Sequence, residues 1–144
     1  MKKIKVLVVD DSGETRNNIK TLLSFEKRIE FIGEAENGEE AVFIAREARP
    51  DIVLMDINMP VMDGIKATEA ITMNVPECTV IIMSVQGEQE YVKKAMSAGA
   101  RDFLNKPFSW DDLNRTILKV WKWKPGGAKE QAPPTAVKIS GEKS

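Results

Sequence analysis

Short apolar runs alternate with stretches of helical period from residue 4 to residue 122. Runs rich in β-branched and aliphatic residues fall near 4–9, 30–35, 51–55, 79–83 and 101–104. Apolar side chains recur at i, i+3 and i+4 near 14–26, 38–48, 64–74, 87–98 and 110–122, which predicts a helix after each run. Two runs, Ile52-Val53-Leu54-Met55 and Val80-Ile81-Ile82-Met83, are apolar at every position. Strands of that kind are buried on both faces, and the alternation with helices supplies the crossovers that parallel strands need. The pattern therefore predicts an α/β fold, a doubly wound five-stranded parallel sheet with helices on both sides.

The helical segments carry consistent stripes. Ile19, Leu22 and Leu23 form one, Ala41, Ile44, Ala45 and Ala48 another, and Leu113, Ile117, Val120 and Trp121 a third. Gly99 is placed to end the fourth helix, Ser109 with Asp112 forms a capping box for the fifth, and Asn37-Gly38 reads as a turn and cap. From Lys124 onward, Pro, Gly and charged residues replace any sustained apolar period. One domain over 1–123 and a linker or disordered tail over 124–144 are expected.

Composition narrows the function. A chain of 144 residues with 42% hydrophobic content suffices for one domain, and 21 basic against 22 acidic side chains give no field to hold nucleic acid. The single Cys78 cannot form an internal disulfide and suits a reducing compartment, so a cytoplasmic location is expected. No apolar run approaches the roughly 20 residues that cross a bilayer, and no membrane partner is expected. The absence of histidine removes His-based catalysis, His metal ligands and phosphohistidine from this chain, so any phosphoryl group must come from another molecule.

Candidate chemistry lies at the carboxyl ends of the runs. Asp56 closes Asp51-Ile-Val-Leu-Met-Asp56, just ahead of Asn58-Met-Pro-Val-Met-Asp-Gly64, which puts a carboxylate at a strand tip, where parallel α/β sheets keep their sites. Asp10-Asp11 follows the first run, Ser84 closes the fourth, and Lys106-Pro107 follows the fifth. If the first and third strands are neighbours, Asp10 and Asp11 lie beside Asp56, and converging carboxylates need a cation. A hard divalent ion with oxygen ligands matches, Mg²⁺ being usual where phosphate is handled. So shielded, the Asp56 carboxylate can attack a phosphorus centre to give an acyl phosphate. Lys106 suits a carboxylate at rest and a phosphoryl oxygen afterwards, and Ser84 can donate one hydrogen bond to that oxygen. Each residue alone has a plainer reading. Asp10-Asp11-Ser12 can be a turn and helix cap, Asp56 a cap before Pro60, Lys106 a solvated lysine before a turn proline with a cis bond, and Ser84 a strand end.

Asp10-Asp11 after a strand, Asp56 before Met59-Pro60 and Asp63-Gly64, then Ser84, then Phe103 ahead of Lys106-Pro107-Phe108 together closely resemble the receiver domain of two-component response regulators. The likeness covers roughly residues 3–122. It implies a flavodoxin-like (βα)5 three-layer sandwich of strand order 2-1-3-4-5, with Asp56 as phosphoacceptor. It implies that Mg²⁺ is held by Asp10, Asp11, Asp56 and the Asn58 backbone carbonyl, with Mn²⁺ able to substitute, and that Lys106 and Ser84 engage the phosphoryl group. The implied donor is a phosphohistidine on a histidine kinase or phosphotransfer protein. The implied switch moves the Ser84 hydroxyl while Phe103 turns inward, although Phe103 has an equal explanation as packing. Such a module is not an enzyme beyond transfer to itself and loss of the phosphoryl group. Its implied output surface, for an unknown protein or domain, is the fourth helix, fifth strand and fifth helix, with Tyr91, Lys94, Lys119, Lys122, Trp110 and Trp123, although a solvated charged face is the commoner use of such lysines and Trp123 can instead pack at the helix end.

Some positions depart from the pattern. Val85 stands where many receivers carry a small residue, and its bulk is expected to crowd the phosphoryl group and slow hydrolysis. Asn58 and Gln86 can orient a water or simply face solvent. The phrases Met83-Ser-Val-Gln-Gly-Glu-Gln-Glu-Tyr-Val92 and Ala98-Gly-Ala-Arg-Asp-Phe-Leu104 are similar to receivers ahead of pilus-assembly-type ATPase domains. Three rivals remain. They are a pseudo-receiver that docks without phosphorylation, a phosphatase of the haloacid-dehalogenase type, and a flavodoxin-like cofactor binder. The phosphatase would need an Asp-X-Asp nucleophile after the first strand, where this chain has Asp10-Asp11-Ser12, and those carboxylates would repel a flavin phosphate.

Overall fold

The two fully apolar runs occupy the middle of the sheet. The computed structural model describes residues 2–123. Within them the elements are β1 (Ile4–Val9), α1 (Gly13–Leu23), β2 (Ile29–Ala35), α2 (Gly38–Ala48), β3 (Ile52–Asp56), α3 (Gly64–Asn74), β4 (Thr79–Ser84), α4 (Gln89–Ser97), β5 (Asp102–Asn105) and α5 (Trp110–Trp123). The strands are parallel, in the order β2-β1-β3-β4-β5. β3 and β4 are buried at every position because helices cover them on both sides.

Alternate residues of each strand feed two cores. Leu7, Val53, Met55, Val80 and Ile82 pack with Ala41 and Ala45 of α2, Ala67 and Ile71 of α3, and Ala95 of α4. On the opposite face Val6, Val8, Leu54, Ile81 and Met83 meet Ile19 and Leu23 of α1 and Leu113, Ile117 and Trp121 of α5. Small alanines let one helix layer lie close, and larger side chains fill the other. Removing a side chain such as Ile117, with none of its surface exposed, would cost about 2–5 kcal/mol.

The expected caps form as drawn. Asn37 accepts from Glu40 N at 2.9 Å, Gly99 follows α4 at φ +123°, and Ser109 and Asp112 exchange reciprocal bonds at 3.1 and 3.3 Å. Three details differ from the sequence expectation. α1 stops at Leu23, because Phe25 N and Glu26 N bond three residues back to Leu22 O and Leu23 O, a tighter turn that keeps a helix-like period. α4 begins at Gln89, after Gly87 at φ +97°. Ala48 is exposed, since it ends α2 just before Arg49 takes a left-handed cap conformation. The expected linker at 124–144 lies outside the described residues, as does the side chain of Trp123.

The strand order reverses at β1. The chain leaves β1 for α1 on one face and β3 for α3 on the other, so a crevice opens between their carboxyl ends.

Candidate functional site

Register carries the polar residues into that crevice. Val9 pairs with Met55, so the next residues, Asp10 and Asp56, emerge side by side. Ser84 pairs with Asn105, and Lys106 N donates to Ser84 O at 2.7 Å, which fixes the lysine beside the β4 tip. The five polar residues singled out in the sequence, Asp10, Asp11, Asp56, Ser84 and Lys106, thus come from four adjacent strand ends.

The acidic members converge closely. One carboxylate oxygen from each of Asp10, Asp11 and Asp56 lies within 4.8 Å of the others, with Asp10 and Asp56 buried and Asp11 exposed. Lys106 Nζ donates to Asp10 Oδ2 at 2.7 Å and to Asp56 Oδ1 at 3.2 Å. Ser12, which caps α1, donates its backbone N–H to Asp10 Oδ1 at 2.9 Å. β2 steadies the same residue: Asp10 N donates to Ala35 O at 3.0 Å, and Arg16, paired with Glu34, donates to Asp10 O at 2.5 Å. Ser12 thus caps α1 as the turn-and-cap reading expects, while Asp10 and Asp11 converge with Asp56 in the crevice. The Lys106–Pro107 bond is cis.

The loop after β3 is held by backbone contacts. Gly64 N donates to Ile57 O at 2.7 Å, and a Cβ at Gly64 would overlap the Asp56 carbonyl and come within 2.9 Å of Ile57 Cα. Only glycine lets α3 start that close to the Asp56 backbone. Gly38 meets the Met62 carbonyl in the same way and donates to it at 2.9 Å, tying α2 to this loop. Between these anchors Met62 N bonds back to Pro60 O at 2.7 Å around Val61 at φ +69°, a γ-turn with a β-branched residue in the left-handed region.

Electrostatics follow from burial. Loss of hydration pushes the Asp56 carboxyl up from an ordinary 3.8 to about 6, with Asp10 and Asp11 adding to the rise and Lys106 opposing it. Burial pulls the Lys106 ammonium down, but the hydrogen bond to Asp10 and the charges of Asp56 and Asp10 outweigh it, and the net shift is upward. Three hard carboxylate oxygens in one cluster are the donor set of a small divalent cation.

Ser84 is buried at the site's edge, and its hydroxyl donates to Asn105 Oδ1 at 3.2 Å, sideways along the strand tips. Phe103 stands outward, 42% exposed, beside a groove lined also by Val85, Val92, Met96 and Lys106. Val85 is partly exposed and Gln86 and Asn58 are exposed. Sequence reading missed the Arg16–Glu34 support, the Val61 turn and the Ser84–Asn105 bond. Only Val61 left a trace, as a branched residue within a Pro-to-Gly turn; the others are long-range side-chain contacts without a local pattern.

A family model for the response regulator receiver domain matches residues 6–118. Chemotaxis protein CheY of Thermotoga maritima is 42% identical over 118 residues, covering 82% of this chain and 98% of that protein. The transcriptional regulatory protein DegU of Brevibacillus brevis is 33% identical over 82% of this chain, which spans only 50% of DegU. Among solved structures, the response regulator domain of Thermotoga maritima CheB superposes with a TM-score of 0.73 at 34% identity, covering 83% of this chain and 93% of that one. CheY in the CheX–CheY–BeF3–Mg complex of Borrelia burgdorferi gives 0.76 at 31% identity, with 83% and 90% covered. These matches favour a receiver over the phosphatase and flavin-binding alternatives, and they do not favour the phosphorylation-independent one. The strand order and the helix layer on each face agree with the family model and the full-length relative, and the chain belongs to the response regulator receiver domains, the signalling modules of two-component systems.

Proposed function

We propose that Asp56 is the phosphoacceptor of this receiver and that a histidine kinase or phosphotransfer protein is its donor. The observation that carries the reading is the convergence of Asp10, Asp11 and Asp56 within 4.8 Å beneath a lysine bonded to two of them. Asp10, Asp11, Asp56 and the Asn58 backbone carbonyl would hold Mg²⁺, with Mn²⁺ as a substitute. When bound, the cation supplies positive charge to the carboxylates and to the incoming phosphoryl oxygens.

In the transfer, an Asp56 carboxylate oxygen forms an O–P bond as the donor's N–P bond breaks. The imidazole nitrogen keeps the bonding pair and later takes a proton. Lys106 moves from pairing with Asp56 to pairing with a phosphoryl oxygen while keeping Asp10, which its flexible stem allows. Ser84 donates its hydroxyl proton to another phosphoryl oxygen, and Phe103 leaves its outward position for the groove beside α4. The surface of α4, β5 and α5 then meets the output partner. There Tyr91 is exposed under Lys94, and Lys119 pairs with Asp102 at 2.8 Å. The chain acts as a signalling module without turnover of an outside substrate. Its low basic charge argues against direct nucleic-acid binding, and its single buried Cys78 suits the cytoplasm. No helix among the described residues is long and apolar enough to cross a membrane.

Incubation with Mg²⁺ and acetyl phosphate or phosphoramidate, read by intact mass, tests the reading. A labile gain of one phosphoryl group that disappears in Asp56→Asn is expected. A gain that persists in the variant would move the acceptor elsewhere, and no gain despite Mg²⁺ binding would remove the phosphoacceptor role.

A further inference from the structure

The Ser84 hydroxyl has one proton, and here that proton is given to Asn105. The two residues are register partners on β4 and β5, so their side chains leave the sheet on the same side, and Ser84 Oγ donates to Asn105 Oδ1 at 3.2 Å. Ser84 is 1% exposed, whereas Asn105 sits exposed at the tip of the edge strand. Phe103, two residues earlier on the same strand, points outward along the same groove.

We propose that Asn105 is a positioning residue that holds the Ser84 hydroxyl away from the Asp56 phosphoryl group and so sets how readily the site engages it. The inference rests on the reading of Asp56 as phosphoacceptor. A serine hydroxyl carries a single donor hydrogen, so it serves Asn105 or a phosphoryl oxygen, not both. Release of Asn105 is mild, because its exposed amide oxygen passes to water. The bond is therefore a bias and not a lock. A neutral hydrogen bond of ordinary net strength corresponds to roughly three- to tenfold in an equilibrium constant. Asn105 lies next to Lys106 in the chain, so one strand tip both supplies the cation and restrains the hydroxyl.

Beryllofluoride, a phosphoryl mimic, is the probe, titrated calorimetrically into the whole chain in Mg²⁺ buffer. Asn105→Ala should bind it roughly three- to tenfold more tightly than the wild type. Asn105→Leu, similar in size and lacking the acceptor, should do the same. In a Ser84→Ala background the Asn105 substitutions should change nothing, since no hydroxyl remains to be released; a general effect on folding or shape would persist there. Unchanged or weaker binding by both Asn105 variants, or an equal gain with and without the Ser84 hydroxyl, overturns the inference. A wild type that takes up Mg²⁺ but not beryllofluoride overturns the phosphoacceptor reading itself.

Discussion

Replacing Asp56 with Asn should stabilise the fold at neutral pH when divalent cations are removed, although it takes a carboxylate partner from Lys106. Burial, with Asp10 and Asp11, raises the Asp56 carboxyl from 3.8 to about 6 despite the lysine. The folded protein therefore holds this proton more tightly than the unfolded chain does. Stability from this group is complete below the unfolded value, falls as pH rises through the interval from 3.8 to about 6, and stays reduced above it. At about 1.4 kcal/mol per pH unit, the charged carboxylate costs roughly 3 kcal/mol at neutral pH. Asparagine has nearly the same shape and no charge to desolvate, and Lys106 keeps Asp10 at 2.7 Å.

Urea unfolding of both proteins in EDTA, at about pH 7.5 and about pH 4, measures the difference. The variant should gain roughly 2–3 kcal/mol at the higher pH and under about 1 kcal/mol at the lower. Added Mg²⁺ should close the gap at the higher pH, because it binds the folded wild type more tightly than the variant. Equal midpoints at the higher pH, or a gain of the same size at both, would refute the argument that buried charge dominates at Asp56.

Other substitutions test the surrounding frame. Gly64→Ala puts a Cβ against the Asp56 carbonyl and Ile57 Cα, backbone atoms that cannot yield cheaply, and should lose about 3 kcal/mol in urea unfolding and weaken Mg²⁺ binding. Val61→Asn should gain about 1 kcal/mol in the same assay, because a β-branched residue at φ +69° is strained and its exposed side chain packs little. Val85→Ala should shorten the phosphoryl lifetime roughly threefold, about 0.7 kcal/mol of barrier, if bulk beside Ser84 and Lys106 hinders water; an unchanged decay of the phosphorylated mass would count against crowding.

The sheet was legible in the sequence because two-sided burial leaves a plain mark: Ile52–Met55 and Val80–Met83 are apolar throughout and become the covered strands. The site residues were legible for a related reason. A polar residue directly after such a run must emerge at a strand tip, as Asp56 and Ser84 do. Helix ends were less so. Tight i to i−3 turns after Leu23 preserve a helical period without being helix, and the positive φ of Gly87 delays α4. Least legible were contacts set by register, such as Ser84 with Asn105 and Arg16 with Glu34, because they depend on which residues stand opposite after folding.

Charge at the crevice constrains the order of events. Three carboxylates and one ammonium leave a formal excess of two negative charges. On the proposed reading an anionic phosphohistidine donor would meet repulsion there, and a divalent cation held by the three carboxylates would offset the excess. A phosphoryl group on Asp56 would carry more negative charge than the carboxylate it replaces, and carry it farther out, and Lys106, 3.2 Å from Asp56, would follow by a shift of its flexible stem. Ser84 must first give up Asn105, a neutral bond whose release to water is mild. The lysine therefore responds to charge and the serine to geometry, and of the two only the serine's response can be tuned by one exposed side chain without disturbing the carboxylates.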